Sequence, residues 1–233
     1  MVDKHILYGV FDGHGGDQVA KLCAEKFSKE LQKELKLTPE PSIAIRTAFS
    51  KLDQHAAQLC PTTAGATVAI AVPLGNRLWF ANCGDALSMV RLKNGSTLLT
   101  SQEHKVEMEA DRIRKLGGLI TYDDGCARIN RLLNVGRSIG DHHLKQFVIS
   151  TPYITSIPLA AVEYFLIGTD GLWDVYTKDG LRTEIAELQE QLSKSNVDAK
   201  ACVDIKARTL VERALLKGSM DNITVLYTEL DTK

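Results

Sequence analysis

Asp12, His14 and three glycines share the stretch Val10-Phe11-Asp12-Gly13-His14-Gly15-Gly16, where an apolar run from Ile6 to Phe11 gives way to a helical pattern. Asp offers a hard oxygen ligand and His a group that titrates near neutrality. Glycine lets backbone carbonyls and a bulky ligand come close together. A strand ending in such a loop aims its polar groups outward, and the combination points to hydrolysis helped by a metal. Two more acidic stretches share this setting. Asp170 and Asp174, in Thr169-Asp170-Gly171-Leu172-Trp173-Asp174, follow the strand-like run Tyr164 to Gly168, and Asp221-Asn222 opens the final run, Ile223 to Leu230. Carboxylates gathered from Asp12, Asp170 and Asp221 would repel one another unless cations neutralised them, and an all-oxygen set suits Mg²⁺ or Mn²⁺ rather than zinc. Two such ions, about 3.5–4 Å apart in general, can deprotonate a bridging water for in-line attack. His14 could then protonate the departing oxygen. Spacing alone does not prove convergence, and each aspartate has an ordinary reading as a turn residue or cap.

The elements that must position these groups alternate between two kinds of pattern. Asp17 to Leu35 places Val19, Cys23, Phe27, Leu31 and Leu35 four apart with charges between them, which predicts an amphipathic helix. A second helix is expected through Ile45, Ala48, Phe49, Leu52, Ala56 and Leu59, packed on a sheet. Ala66 to Val72, Arg77 to Ala81 and Leu87 to Leu92 read as closely spaced strands, hence antiparallel hairpins. Thr97 to Leu99 is a further short strand, and a helix is expected over Glu107 to Leu116, stopped by Gly117-Gly118. Leu119 to Thr121 is extended, whereas Ala127 to Lys145, rich in Arg and Gly, reads as loop and site. Tyr153 to Pro158 and Tyr164 to Gly168 are strands. Helices follow over Leu181 to Leu192 and Asp198 to Leu216, the latter with Cys202, Ile205, Leu210, Ala214 and Leu215 on its apolar side.

Composition limits the class. A chain of 233 residues fits one domain spanning 1–233. Its 28 basic and 29 acidic residues leave a net charge of -1, so no overall field favours nucleic acid or anionic membrane. Cys23, Cys60, Cys83, Cys126 and Cys202 are scattered, without zinc or redox spacing, which fits a reducing compartment. No run is long and apolar enough to span a bilayer, and no signal-peptide core is visible. The expectation is an intracellular monomer, cytoplasmic or nuclear.

Five blocks, in order, resemble the signatures of the metal-dependent protein serine/threonine phosphatases of type 2C. They are Phe11 to Gly16, Ala81-Asn82-Cys83-Gly84-Asp85, Leu133 to Asp141, Thr169 to Asp174, and Gly218-Ser219-Met220-Asp221-Asn222-Ile223-Thr224. The resemblance implies an α+β fold: a four-layer sandwich of two antiparallel β-sheets flanked by α-helices, with a two-metal site at one end. It also implies hydrolysis of phosphoserine and phosphothreonine in phosphoprotein substrates by a hydroxide bridging two Mg²⁺ or Mn²⁺ ions. By matching position, Asp12 and Asp170 would bind the pair, the Gly13 carbonyl would ligate one ion and Asp221 would complete its shell. A weaker third site would draw on Asp85 and Asp174, with Asp170 nearby, and His14 would be the general acid.

Some positions depart from the pattern. Family members carry, ahead of the first aspartate, a strand pair with an arginine that grips phosphate and an acid that supports the metals. Eleven residues precede Asp12 here, and Asp3 is their only acid. The chain is therefore expected to be N-terminally incomplete, without those strands. The alternative is a non-catalytic, phosphatase-like interaction domain. Ala86-Leu87 replaces the usual Ser-Arg, and Glu103-His104-Lys105-Val106 the usual Asp-His-Lys-Pro. Arg137 pins loops or touches phosphate, and stays outside the catalytic set. His142 and His143, read as neighbours on an extended segment, would point apart and flank the substrate cleft. Trp173 and Leu172 read as anchors for Asp170 and Asp174.

Overall fold

Gly65 to Leu74 is an almost unbroken apolar run, which a strand buried on both faces requires. Side chains alternate along it. Ala66, Val68, Ile70, Val72 and Leu74 pack with two helices, while Ala69 and Ala71 meet a second sheet. The computed structural model describes residues 6–230 except Asp124 and Asn196, so Asp3 lies outside the described residues.

Along the chain, β1 (Tyr8–His14) leads to α1 (Gln18–Leu37) and α2 (Pro41–Leu59), then to β2 (Gly65–Leu74), β3 (Arg77–Cys83), β4 (Leu87–Leu92) and β5 (Thr97–Leu99). Next come α3 (Ala110–Lys115), β6 (Ile120–Asp123), β7 (Cys126–Ile129), β8 (Ile139–Gly140) and β9 (Tyr153–Pro158). The chain continues through β10 (Val162–Gly168), α4 (Asp170–Trp173), α5 (Lys178–Ser193) and α6 (Ala199–Leu216) to β11 (Val225–Glu229).

One sheet runs β1-β2-β3-β9, with β8 also on β2; the other runs β11-β10-β4-β5. Every pairing within them is antiparallel. Between the sheets lie Val10, Leu78, Phe80, Val90, Phe165 and Ile167. The outer face of the first sheet is covered by α1 and α2, that of the second by α5 and α6. The result is the expected α+β sandwich of four layers. Beside it, β6 and β7 form a hairpin over a small core of Val106, Ile113, Ala127, Ile129, Leu144 and Val148. No helix among the described residues is long and apolar enough to cross a membrane.

Three local expectations need correction. The helix expected from Glu107 starts only at Ala110, because Lys105 and Val106 are tied to Val135 and Asn134 by backbone pairing and turn before helix can form. The stretch read as loop holds β7 and β8, whose short length and glycine content hide any period-two signal. On α6, Leu215 is 55% exposed. The buried face instead carries Lys206, Leu210 and Ala214, with Val203 and Ala207 beside them. Lys206 is tolerated there because its ammonium pairs with Glu229 and lies 5.4 Å from the Tyr227 ring centroid.

The α1–α2 layer centres on Phe27 and Phe49, both fully buried, with ring centroids 5.0 Å apart edge to face. Phe27→Ala should cost about 3–5 kcal/mol of stability in urea titration, the usual range for emptying such a site. A loss below about 1 kcal/mol would show that this layer does not anchor the sheet.

Candidate active site

The antiparallel ladder between β1 and β2 pairs Asp12 with Thr67, Gly13 with Ala66 and His14 with Gly65. The first motif was expected in a loop after a strand, but the strand runs through His14. Small partners on β2 let the ladder continue, and the period of two sets Asp12 and His14 on one face. The chain then turns sharply at Gly15, where φ is +64° and a Cβ would lie 2.1 Å from the Thr63 carbonyl oxygen.

Asp170 opens α4 directly after β10, and Asp174 follows one turn later, its N–H donating to the Asp170 carbonyl at 2.8 Å. Asp221 sits in the bend before β11. These two segments are stitched together. Ser219 Oγ donates to the Gly171 carbonyl at 2.6 Å, and Thr169 Oγ1 donates to the Asn222 carbonyl at 3.3 Å while accepting from Thr224 N at 3.1 Å. Asp85 lies in the β3–β4 turn, which buried Asn82 holds by donating to the carbonyls of Gly84, Ala86 and Gln102. Buried His104 binds Gly84 from the other side, Nδ1 lying 3.0 Å from its carbonyl oxygen.

Asp12, Gly13, His14, Asp85, Asp170 and Asp221 thus line one cleft of about 210 Å³, with Thr67, Asn134, Val135 and Asn222. Asp174 stands on the rim, half exposed, paired with the Lys105 ammonium at 3.0 Å. No Lys or Arg lines the cleft among the described residues. The carboxylates strain against one another. Burial, then the charges of Asp85, Asp12, Asp221 and Asp174, push Asp170 up, and burial and Asp221 outweigh a hydrogen bond with Asp170 to raise Asp12. Asp85 is pushed up to about 6, chiefly by burial, against its own backbone hydrogen bond and Lys105.

His14 Nε2 lies 2.6 Å from Asp141 Oδ2, within hydrogen-bond distance. Burial opposes protonation of His14, yet that bond and the charges of Asp141, Asp85 and Asp12 together raise its pKa above the ordinary imidazole value.

The donor set fits divalent cations of the Mg²⁺ kind. It is all oxygen, and Asp170 Oδ1 is buried without a hydrogen-bond partner in the described structure. Among the described residues no three His, Cys, Asp or Glu side chains meet closely enough to grip one ion by themselves.

Other sequence readings resolve simply. Arg137 pins Glu109, donating from Nη2 at 2.7 Å, and reaches the Thr151 carbonyl at 3.0 Å. His142 and His143 lie in a 3₁₀ turn rather than an extended segment, bound to the carbonyls of Asp53 and Thr62, and neither lines the cleft. Trp173 anchors α4 through Nε1, which donates to the carbonyls of Leu87 and Gly168. Asp141, Thr67 and Asn134 join the site without having been among the residues the sequence points to. Asp141 had a signal, its place in the third block, whereas Thr67 and Asn134 show their importance only through the register of neighbouring strands and loops.

A family model described as "Protein phosphatase 2C" matches residues 2–223. "Probable protein phosphatase 2C 11" of Arabidopsis thaliana is 32% identical over 238 residues, covering 97% of this chain and 58% of that protein. Among eight such relatives the share of their own length spanned by this chain runs from 45% to 74%, and for the first of them it is below two thirds. A solved C. elegans sex-determining protein superposes with a TM-score of 0.82 at 23% identity, over 95% of this chain and 55% of its own. The serine-threonine phosphatase 2C from Toxoplasma gondii gives 0.70 at 22% identity, over 97% and 84%. At these identities the solved structures show the fold.

Mg²⁺ or Mn²⁺ should raise the melting temperature of this chain by linkage, and Asp170→Asn should remove most of that rise. An equal rise in the variant, read by calorimetry, would take Asp170 out of the site.

Proposed function

The chain belongs to the protein phosphatase 2C family, and from that premise we propose that it hydrolyses phosphoserine and phosphothreonine in proteins with two Mg²⁺ or Mn²⁺ ions. The observation that carries this reading is the cleft itself, where Asp12, Asp85, Asp170 and Asp221 converge beside His14. When bound, the ions would supply Lewis-acid activation of a water and offset the charge of the phosphate. Asp12 and Asp170 would hold the pair, helped by the Gly13 carbonyl and Asp221, while Asp85 and rim residue Asp174 would serve a weaker third site. Asp12 and His14 share a strand face, which sets the proposed acid on the same side as the first carboxylate. His14 would give a proton to the oxygen leaving phosphorus, as an alkoxide of serine or threonine is a poor leaving group.

A second reading is a non-catalytic, phosphatase-like interaction domain. The absence of Lys and Arg from the cleft lining among the described residues favours it, because nothing there grips phosphate directly.

Phosphate release from a phosphothreonine peptide decides between them. The chain should turn over in Mn²⁺ or Mg²⁺, Asp170→Asn should abolish turnover, and His14→Gln should lower kcat by about 10²–10⁴-fold. Absence of turnover with the ions bound would favour the interaction domain.

A further inference from the structure

We propose that Asp141 is a positioning residue for His14: it holds the imidazole by Nε2, so that Nδ1 is the nitrogen that serves the leaving oxygen. The inference rests on the phosphatase reading for its chemistry, but its geometry stands independently.

Three adjacent strands create the contact. Gly65 of β2 is paired with His14 of β1 on one side and with Gly140 of β8 on the other. Next-nearest strands lie about 10 Å apart, too far for a direct bond unless the side chains reach across the strand between them. Gly65 leaves that path open. A Cβ there would stand 2.1 Å from Asp141 Oδ2 and 2.4 Å from His14 Nε2. The imidazole and carboxylate therefore meet directly above a glycine, at 2.6 Å.

Asp141 is built in firmly. Its side chain is 1% exposed, its N–H donates to the Ala64 carbonyl at 2.9 Å, and Ser138 Oγ donates to the same Oδ2 that receives His14. Its backbone is left-handed, with φ 52° and ψ 40°, a conformation that costs a non-glycine residue energy, though Asp tolerates it better than most. Its other oxygen, Oδ1, is buried without a partner in the described structure. A buried carboxylate in a strained backbone with an unsatisfied oxygen is a poor stability device. Its link to the cleft is through His14, which lines the cleft whereas Asp141 does not.

With Nε2–H committed to Asp141, Nδ1 is the ring nitrogen left for the substrate. In the reaction the phosphorus–oxygen bond to the serine or threonine side chain breaks and one to a water oxygen forms. The Nδ1 proton passes to the departing oxygen, giving the free alcohol. A proton from the attacking water, released to solvent, balances the one that later returns to Nδ1. Nε2–H stays on Asp141 throughout, fixing the ring in the orientation that presents Nδ1.

Two measurements test this. Wild type, Asp141→Asn and His14→Gln are assayed with Mn²⁺ on a phosphothreonine peptide and on p-nitrophenyl phosphate, whose leaving group needs no proton. Asp141→Asn should lower kcat on the peptide at least about tenfold with KM nearly unchanged, and lower kcat on the aryl ester far less. Adding Asp141→Asn to His14→Gln should cost little more. Equal losses on both substrates, or no loss on the peptide, would overturn the proposal. The second measurement is the ¹⁵N spectrum of the His14 ring in the wild-type chain at a pH where it is neutral. The proton should lie on Nε2, and Asp141→Asn should mix the tautomers; a wild-type ring protonated on Nδ1 with bare Nε2 would overturn the assignment. If wild type turns over neither substrate, the phosphatase reading fails, and this spectrum still decides the pairing.

Discussion

Mutual repulsion among Asp12, Asp85, Asp170 and Asp221 is the constraint on which the rest of the structure depends. Each comes from a different segment, and burial together with neighbouring charge raises the pKa of Asp12, Asp85 and Asp170. A cluster of that kind does not hold itself together. It is imposed by elements that are stable for other reasons: the apolar ladder of β1 on β2, the buried end of β10, and the amide of Asn82 clamping the turn that carries Asp85. Binding a divalent cation would relieve the repulsion, so the strain favours such an ion.

Two sheets make this possible because each ends at the same place. The first contributes Asp12 and His14 from β1, and the second contributes Asp170 from the end of β10, with Asp221 just before β11. The core between them, built on Phe80 and Phe165 at 5.9 Å between centroids, fixes how far apart the two ends stand. A change in that core would therefore be felt as a change in carboxylate spacing, since close-packed interiors pass strain along rather than absorb it.

Much of this was legible in the sequence, for physical reasons. Helices α1, α2 and α5 carry strong periodicity, and β2, β4 and β10 carry dense apolar runs, so their type could be read from pattern alone. The layered arrangement could not. Periodicity tells which face of β2 is apolar but not which partner covers it, and here both faces are apolar. That step came from the five ordered blocks. Asp12, Asp170 and Asp221 were visible because each stands where an apolar run ends. Asp141 stands within a block, yet its role is invisible there, since it depends on Gly65, 76 positions earlier, being the one residue small enough to let it reach His14. Leu215 falls outside the buried face of α6 because that face turns to include Lys206, and the ion pair with Glu229 that permits this cannot be read from helical spacing.

The departures from the family pattern show how the scaffold around the site absorbs change. Ala86 and Leu87 stand where Ser-Arg is usual, next to Asp85. Ala86 is fully buried between the sheets, and the Leu87 carbonyl accepts from Trp173 Nε1, so this segment is held by packing and backbone rather than by a polar side chain. Val106 stands where proline is usual. Proline has no N–H, whereas the Val106 N–H donates to the Asn134 carbonyl at 3.0 Å, and the Val106 side chain is fully buried against Ile113 and Ile129. Asn134 itself lines the cleft. The substitution therefore adds a tie between the segment that carries Lys105, partner of Asp174, and the block that carries Asn134 and Asp141. Ala86, Leu87 and Val106 thus support the segments around the cleft by apolar packing and backbone hydrogen bonds.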